Sequence, residues 1–360
     1  MEGSHSAGRL QYRQLSGTTS LEFGNKIDVL DLHAGMVSMP SCPVLTIGMP
    51  VYNADRFLAK ALDSFLGQTF KDFELFISDN ASTDRTEQIC REYAVRDHRI
   101  RYFRNEKNMG AGWNFRRVYS LASGKYYKSA AHDDFIEPTF LEECIAALEA
   151  DPGIVLAHTR TRTVSSTGDP VECDNPPLRF DSPDPLLRWH DLLLNDHMCF
   201  EIFGVFRLDA LRQCPPQGSY VNSDGVLLAQ VALLGRFWES DEVLFINTRH
   251  ENQSQQTVPV RLKSQGFRLI RRHGTLPSPE WWDPAKTHAI TFPEFRQFYE
   301  YAASVKRAPL SPWQKVRAYL LLLPWTKKHF RRMMKDLLIA ADQILFNYQN
   351  RRATRLYDCA

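Results

Sequence analysis

Three stretches place polar side chains directly after apolar runs, where side chains able to do chemistry are most informative. Val44-Leu45-Thr46-Ile47-Gly48-Met49 runs into Pro50-Val51-Tyr52-Asn53, and Phe73-Glu74-Leu75-Phe76-Ile77-Ser78 runs into Asp79-Asn80-Ala81-Ser82-Thr83-Asp84. Tyr126 to Ala130 runs into His132-Asp133-Asp134. Adjacent carboxylates repel unless something positive lies between them, and a divalent cation with oxygen ligands is the usual answer. An ion held there would bridge a diphosphate and offset its charge as a leaving group. No glycine-rich phosphate loop follows the first run, which leaves phosphate handling to the metal.

These residues need a scaffold, and the hydrophobic pattern supplies one. Phe57, Leu58, Ala61, Leu62, Phe65 and Leu66 recur at helical spacing up to Gly67. Asp84 with Glu87 makes a capping pair for a helix to about Tyr93, followed by a short strand at Ile100 to Phe103. A third helix follows Asn108-Met109-Gly110, and Pro138 opens another that carries Phe140, Leu141, Cys144, Ile145 and Leu148 before a strand at Ile154 to Ala157. Strands alternating with helices predict an α/β fold with a mostly parallel sheet covered on both faces. In such sheets ligands bind outside the carboxyl ends of the strands.

Beyond Arg160 the alternation stops, and it resumes as α+β with Phe200 to Phe206, a helix near Asp224 to Leu234 and Phe237 to Phe245. The expected organisation is a flexible leader over 1–42, a main domain over 43–255 with halves at 43–160 and 161–255, and a helical region over 256–360. The formal charge of +2 argues against a nucleic-acid partner. Seven scattered cysteines without a CxxC pair suit a reducing compartment, hence the cytoplasm. No run reaches the roughly 18 apolar residues of a membrane span. From Lys306 to Lys335 there are many cations and no acidic residue, interleaved with Trp313, Tyr319 and Trp325, which suits peripheral contact with the inner face of the plasma membrane.

The stretch Val44 to Ala157 resembles the nucleotide-binding half of the family 2 glycosyltransferases, which have the GT-A fold. The resemblance rests on Pro50-Val51-Tyr52-Asn53, Ser64, Gln68, Ser78 to Asp84, Asn108-Met109-Gly110, Asn114, Ala122, Gly124, Asp133-Asp134 and Pro138. It implies a Rossmann-like, nucleotide-diphospho-sugar transferase sheet with a C-terminal helical extension, and an inverting transfer to a glycan or lipid-linked acceptor in cell-surface polysaccharide synthesis. By the same resemblance Pro50, Tyr52, Asn53, Asp79, Asn108 and Asp133 bind the nucleotide-sugar, with Asp79 on the base edge. Asp134 is the first choice as ligand of Mn2+ or Mg2+, with Asp133 beside it. The second half is similar to a bacterial branch in Phe203 to Arg207 and Ser223 to Leu228, so Asp224 stands where the family puts its base. Asn247-Thr248-Arg249-His250 is similar to the basic stretch before a Gln-Ser loop, here Gln253-Ser254. That likeness assigns Arg249 to the diphosphate and His250 to the diphosphate or metal.

One departure bears on activity: Ala131 stands where many members carry a further carboxylate. An inactive nucleotide- or carbohydrate-binding homologue is therefore the second reading. A glycoside hydrolase, which needs two carboxylates and no nucleotide, is the third.

Overall fold

The computed structural model describes residues 43–173, 175–251, 279–286 and 289–357. The leader at 1–42 and the Gln253-Ser254 loop lie outside them. The predicted alternation is present as β1 (Leu45–Val51), α1 (Leu58–Leu66), β2 (Phe73–Asp79), α2 (Thr86–Arg96), β3 (Ile100–Arg104), α3 (Ala111–Ser120) and β4 (Tyr126–Ser129). There follow β5 (Phe135–Ile136), α4 (Phe140–Ala150), β6 (Ile154–Ser165), α5 (Pro185–Leu194), β7 (Val205–Arg207), α6 (Leu208–Leu211), α7 (Ser223–Ala232) and β8 (Arg236–Arg249). Three more helices close the chain: α8 (Pro279–Trp282), α9 (Pro293–Arg307) and α10 (Pro312–Tyr357).

All eight strands share one sheet in the order β3-β2-β1-β4-β7-β6-β8-β5. The first four are parallel; β7 is antiparallel to both β4 and β6, and β8 is parallel to β6. The carboxyl ends of β1, β2, β4 and β8 therefore share one edge, and β7 begins there. The half over 161–255 contributes β7 and β8 to the same sheet. Its proposed boundary at Arg160 does not exist as a break, because β6 continues through that residue to Ser165. The apolar run Ile154 to Ala157 marks only the part buried on both sides, while exposed residues beyond it hide the rest of the strand.

Period-two alternation sends side chains of each strand to two different cores. Tyr126, Phe140, Leu62 and Phe245 belong to the core beneath α1, α2 and α4. Tyr127, Phe206, Trp189, Val231 and Trp325 belong to the core beneath α5, α7, α9 and α10. Local signals set several helix starts. The Asp184 carboxylate accepts from the Leu186 N–H at 2.9 Å with Pro185 in the first turn of α5. Asp84 accepts from the Thr86 N–H at 3.0 Å, so α2 begins at Thr86 and Asp84 acts without the predicted reciprocal partner Glu87, which instead pairs with Arg91 and Arg104.

One buried polar side chain locks the site-bearing edge. Asn114 of α3 accepts from the Ser78 hydroxyl at 2.6 Å and donates to the Ser78 carbonyl at 2.8 Å and the Val51 carbonyl at 3.4 Å. It thereby holds the ends of β1 and β2 at fixed spacing. Asn114→Ala removes the side-chain partner of the buried Ser78 hydroxyl, while the Val51 carbonyl keeps the Asn80 N–H at 2.9 Å, and a loss of about 2–3 kcal/mol is expected in urea unfolding. A change below about 0.5 kcal/mol would show that water replaces the amide.

Candidate functional site

The loops after β1 and β2 are stitched by hydrogen bonds that use the predicted residues. The Asn53 N–H donates to the Ser82 hydroxyl at 2.9 Å, and its side-chain oxygen accepts from the Thr83 N–H at 2.9 Å. The Ala54 N–H donates to the Thr86 hydroxyl at 2.7 Å, and the Asp55 N–H to Asp84 at 3.1 Å. Both loops contain a residue in the left-handed region, Asn53 at φ 49° and Ala81 at φ 62°. An alanine held there stores conformational strain of about 1–2 kcal/mol, which the stitched loops sustain. Tyr52 projects from this edge with 44% of its surface exposed, a free aromatic face beside the half-buried Pro50.

Asp79 is fully buried and its carboxylate is occupied. One oxygen accepts from the Ser82 N–H at 2.8 Å; the other accepts from the Tyr102 hydroxyl at 2.8 Å and the Arg104 guanidinium at 3.3 Å. Strand register makes this pairing, since Asp79 and Arg104 are partners across β2 and β3. In this geometry Asp79 shapes the loop that would receive a base. Next to it, Asn80 donates to the Asn108 side chain at 2.8 Å and accepts from the Asn105 amide and the Met109 N–H at 3.0 and 2.9 Å. Asn108 also accepts from the Gly110 N–H at 2.8 Å and remains exposed.

The acidic pair lies between β4 and β5, and the end of β8 divides it. Asp134 is buried; its Oδ1 accepts from the Thr248 N–H at 2.9 Å and the Asn247 amide at 3.1 Å. Burial raises its carboxyl well above the usual range, and the negative Asp133 adds to this against the Thr248 and Asn247 donors and the Lys128 charge. Asp133 is half-buried and its Oδ2 meets His250 Nε2 at 2.9 Å. Burial opposes its ionisation too, but the His250 hydrogen bond and the nearby His132 outweigh it and hold this carboxyl below the ordinary range. The His250 ring packs on Phe57 at 4.9 Å, so the loop after β1 orients it. Asp134 Oδ1 is engaged by the end of β8, while Asp133 Oδ2 and His250 Nε2 meet as an oxygen and nitrogen pair beside it. Among the described residues no group of three or more His, Cys, Asp or Glu has metal-ligating geometry. Arg249 is the last residue of β8 and is half-buried at the same edge.

Asp224 lies in the first turn of α7, behind Asn222 in the left-handed region at φ 61°. Asn222 is anchored by its amide to Gln297 of α9 at 3.0 Å. Among the described residues no hydrogen bond joins Asp224 to Asp133 or Asp134. Burial raises the Asp224 carboxyl and the nearby Glu201 adds to it, while the Gly225 N–H and His197 act the other way. Glu201 and His197 are 3.8 Å apart and belong to the turn before β7, at the same sheet edge.

Residues 46–214 match the family model described as glycosyl transferase family 2. Just under half of the chain is thus similar to this family. A chondroitin synthase of Escherichia coli is 31% identical over 127 residues, covering 35% of this chain and 18% of that protein. The putative glycosyltransferase EpsE of Bacillus subtilis is 36% identical over 112 residues, covering 31% and 40%. The chain thus spans less than half the length of these relatives. Among solved structures, TarS 1–349 of S. aureus in complex with UDP-GlcNAc superposes with TM-score 0.56 at 18% identity, covering 80% of this chain and 72% of that one. The fold is GT-A, with the C-terminal helices added to it.

Sequence reasoning missed Tyr102, Arg104, Glu201 and Lys128. Lys128 had a signal in retrospect: a cation directly after two aromatic residues in a short strand. It is fully buried among Phe65, Phe140 and Phe245 and donates to the Phe203 carbonyl in the turn before β7. Burial pushes its ammonium from 10.5 down to about 7. Between these values the unfolded chain binds the proton and the folded one does not, so stability from this group rises with pH across that window and is lost as pH falls through 7. Lys128→Met should therefore differ from the wild type most at pH 7 and below, with the gap closing toward pH 10 in denaturant titrations. A gap independent of pH would mean that Lys128 stays charged in the fold.

Proposed function

We propose that the chain is an inverting glycosyltransferase that moves a sugar from a nucleoside diphosphate donor to a hydroxyl of a glycan or lipid-linked acceptor. The observation that carries this reading is the Asp133–His250 pair at 2.9 Å, set at the carboxyl edge of a family 2 domain. The name of the chondroitin synthase relative supports polysaccharide as the product class. The reducing interior of a cell, where nucleotide-sugars are made, is the corresponding location.

Asp133 and His250 fit a divalent cation, since one contributes a carboxylate oxygen and the other an imidazole nitrogen. When bound, such an ion supplies charge neutralisation on the diphosphate. The mixed donors suit Mn2+ better than Mg2+, because imidazole binds the softer ion more strongly. Tyr52 and Pro50 would stack on the base, with the Asn53, Asp79 and Asn108 network fixing the loops around it. Arg249 would pair with the diphosphate.

For the transfer, the acceptor oxygen attacks the anomeric carbon on the face opposite the diphosphate. The carbon–oxygen bond to the diphosphate breaks, and the nucleotide leaves with that electron pair. Asp224 takes the proton from the attacking hydroxyl. Its raised affinity for protons, caused by burial and Glu201, makes it a stronger base than a solvated aspartate.

Two experiments test this reading. Thermal unfolding with UDP, GDP, dTDP or CMP, each with Mn2+, Mg2+ or EDTA, should show one diphosphate that stabilises in Mn2+ and loses its effect in EDTA. Asp133→Asn should abolish the metal-dependent part; no shift with any nucleotide would favour an inactive homologue. Asp224→Asn should lower kcat by about a hundredfold or more while donor binding is kept, and the wild-type acidic limb should fall above pH 3.8. Near-normal turnover in Asp224→Asn would remove it as the base.

A further inference from the structure

The long helix α10 has two apolar faces, and only one is used. Ala318, Leu322, Trp325, His329 and Met333 are buried against the body of the protein. On the outward side, at 3.6 residues per turn, Trp313, Val316, Leu320 and Leu323 lie roughly 120–200° around the helix from that face, and Phe330 and Leu337 continue the stripe at roughly 80–100°. These are exposed at 68, 47, 55, 65, 54 and 43% of their surfaces. The stripe from Trp313 to Leu337 is about 36 Å long at 1.5 Å per residue. Isolated exposed apolar residues are ordinary, but a continuous stripe of this length marks an interaction surface.

The charges beside it identify the partner. Arg317, Lys327, Arg331 and Lys335 flank or interrupt the stripe, and none makes a salt bridge among the described residues. No acidic residue occurs from Lys306 to Lys335, and Asp336 and Asp342, the next two, are 1% exposed on the inward side. A second copy packed on this stripe would set Lys327 and Arg331 against cations of its own kind with no carboxylate to relieve them. A plane of anionic headgroups accepts the same charges while the aromatic and leucine side chains enter the acyl boundary. No described helix is long and apolar enough to cross a membrane, so α10 would lie on the surface.

We propose that the outer face of α10 docks the protein on an anionic lipid surface, with Trp313, Leu320, Leu323 and Phe330 inserted and Arg317, Lys327, Arg331 and Lys335 on the lipid phosphates. This inference stands independently of the transfer chemistry. It is tested with the full-length chain and vesicles of phosphatidylcholine with or without phosphatidylglycerol. The wild type should sediment with the anionic vesicles, bind neutral ones at least about tenfold more weakly, and be released by high salt. Leu320→Glu with Leu323→Glu should cut binding about tenfold or more while thermal stability is unchanged, because both side chains are solvent-facing. Lys327→Glu with Arg331→Glu should remove the preference for anionic vesicles. Absence of wild-type binding overturns the proposal, as does binding that both double variants retain. A solution dimer that Leu320→Glu with Leu323→Glu dissolves, without vesicle binding, overturns it in favour of self-association.

Discussion

Two neighbouring carboxylates at the dry edge of a sheet cannot both remain charged without help, and much of the site follows from how that conflict is resolved. β8 delivers a backbone N–H and an amide to Asp134 and an imidazole to Asp133. One carboxyl becomes part of the scaffold, its proton affinity raised by burial. The other keeps its charge and meets a histidine. The division requires β8, more than a hundred residues later in the chain, to end in register with β5.

That dependence ties the two halves of the domain together. Lys128 reinforces it from below, donating to the turn before β7 while lying within the electrostatic reach of Asp134. Above it, Asn114 fixes the ends of β1 and β2, and the Asn53 and Asp84 contacts join the following loops. The candidate site is therefore held by buried polar groups whose partners are nearly all on other elements. Such groups are costly unless satisfied, which makes the arrangement specific.

The surroundings of Asp224 are built differently. Asp224 stands at a helix start whose position is set from α9 through Asn222 and Gln297. The helices that carry this anchor also carry the exposed stripe of α10, so one packed unit supports the candidate base on one side and presents an exposed apolar stripe on the other. The α9 and α10 contact includes the His329 ring against Glu294 at 2.8 Å and stacked on Trp325.

Periodicity alone determined the strands and helices up to β4, because runs such as Leu45 to Val51 are buried on both sides and hence apolar throughout. The sequence also determined the positions of Asp79, Asp133, Asp134 and Asp224 at strand ends or a helix start. It could not determine what each carboxylate does, since that depends on partners brought by register and crossing. Asp79 is closed off by Arg104 from the adjacent strand, and Asp134 is claimed by β8. β6 hid its length because exposed residues such as Arg160 and Arg162 interrupt its outer half, and the burial of Lys128 exists only where the packed sheet surrounds it with three phenylalanines. Burial is a property of position in three dimensions, so the chemical character of these ionisable groups was decided by the tertiary structure.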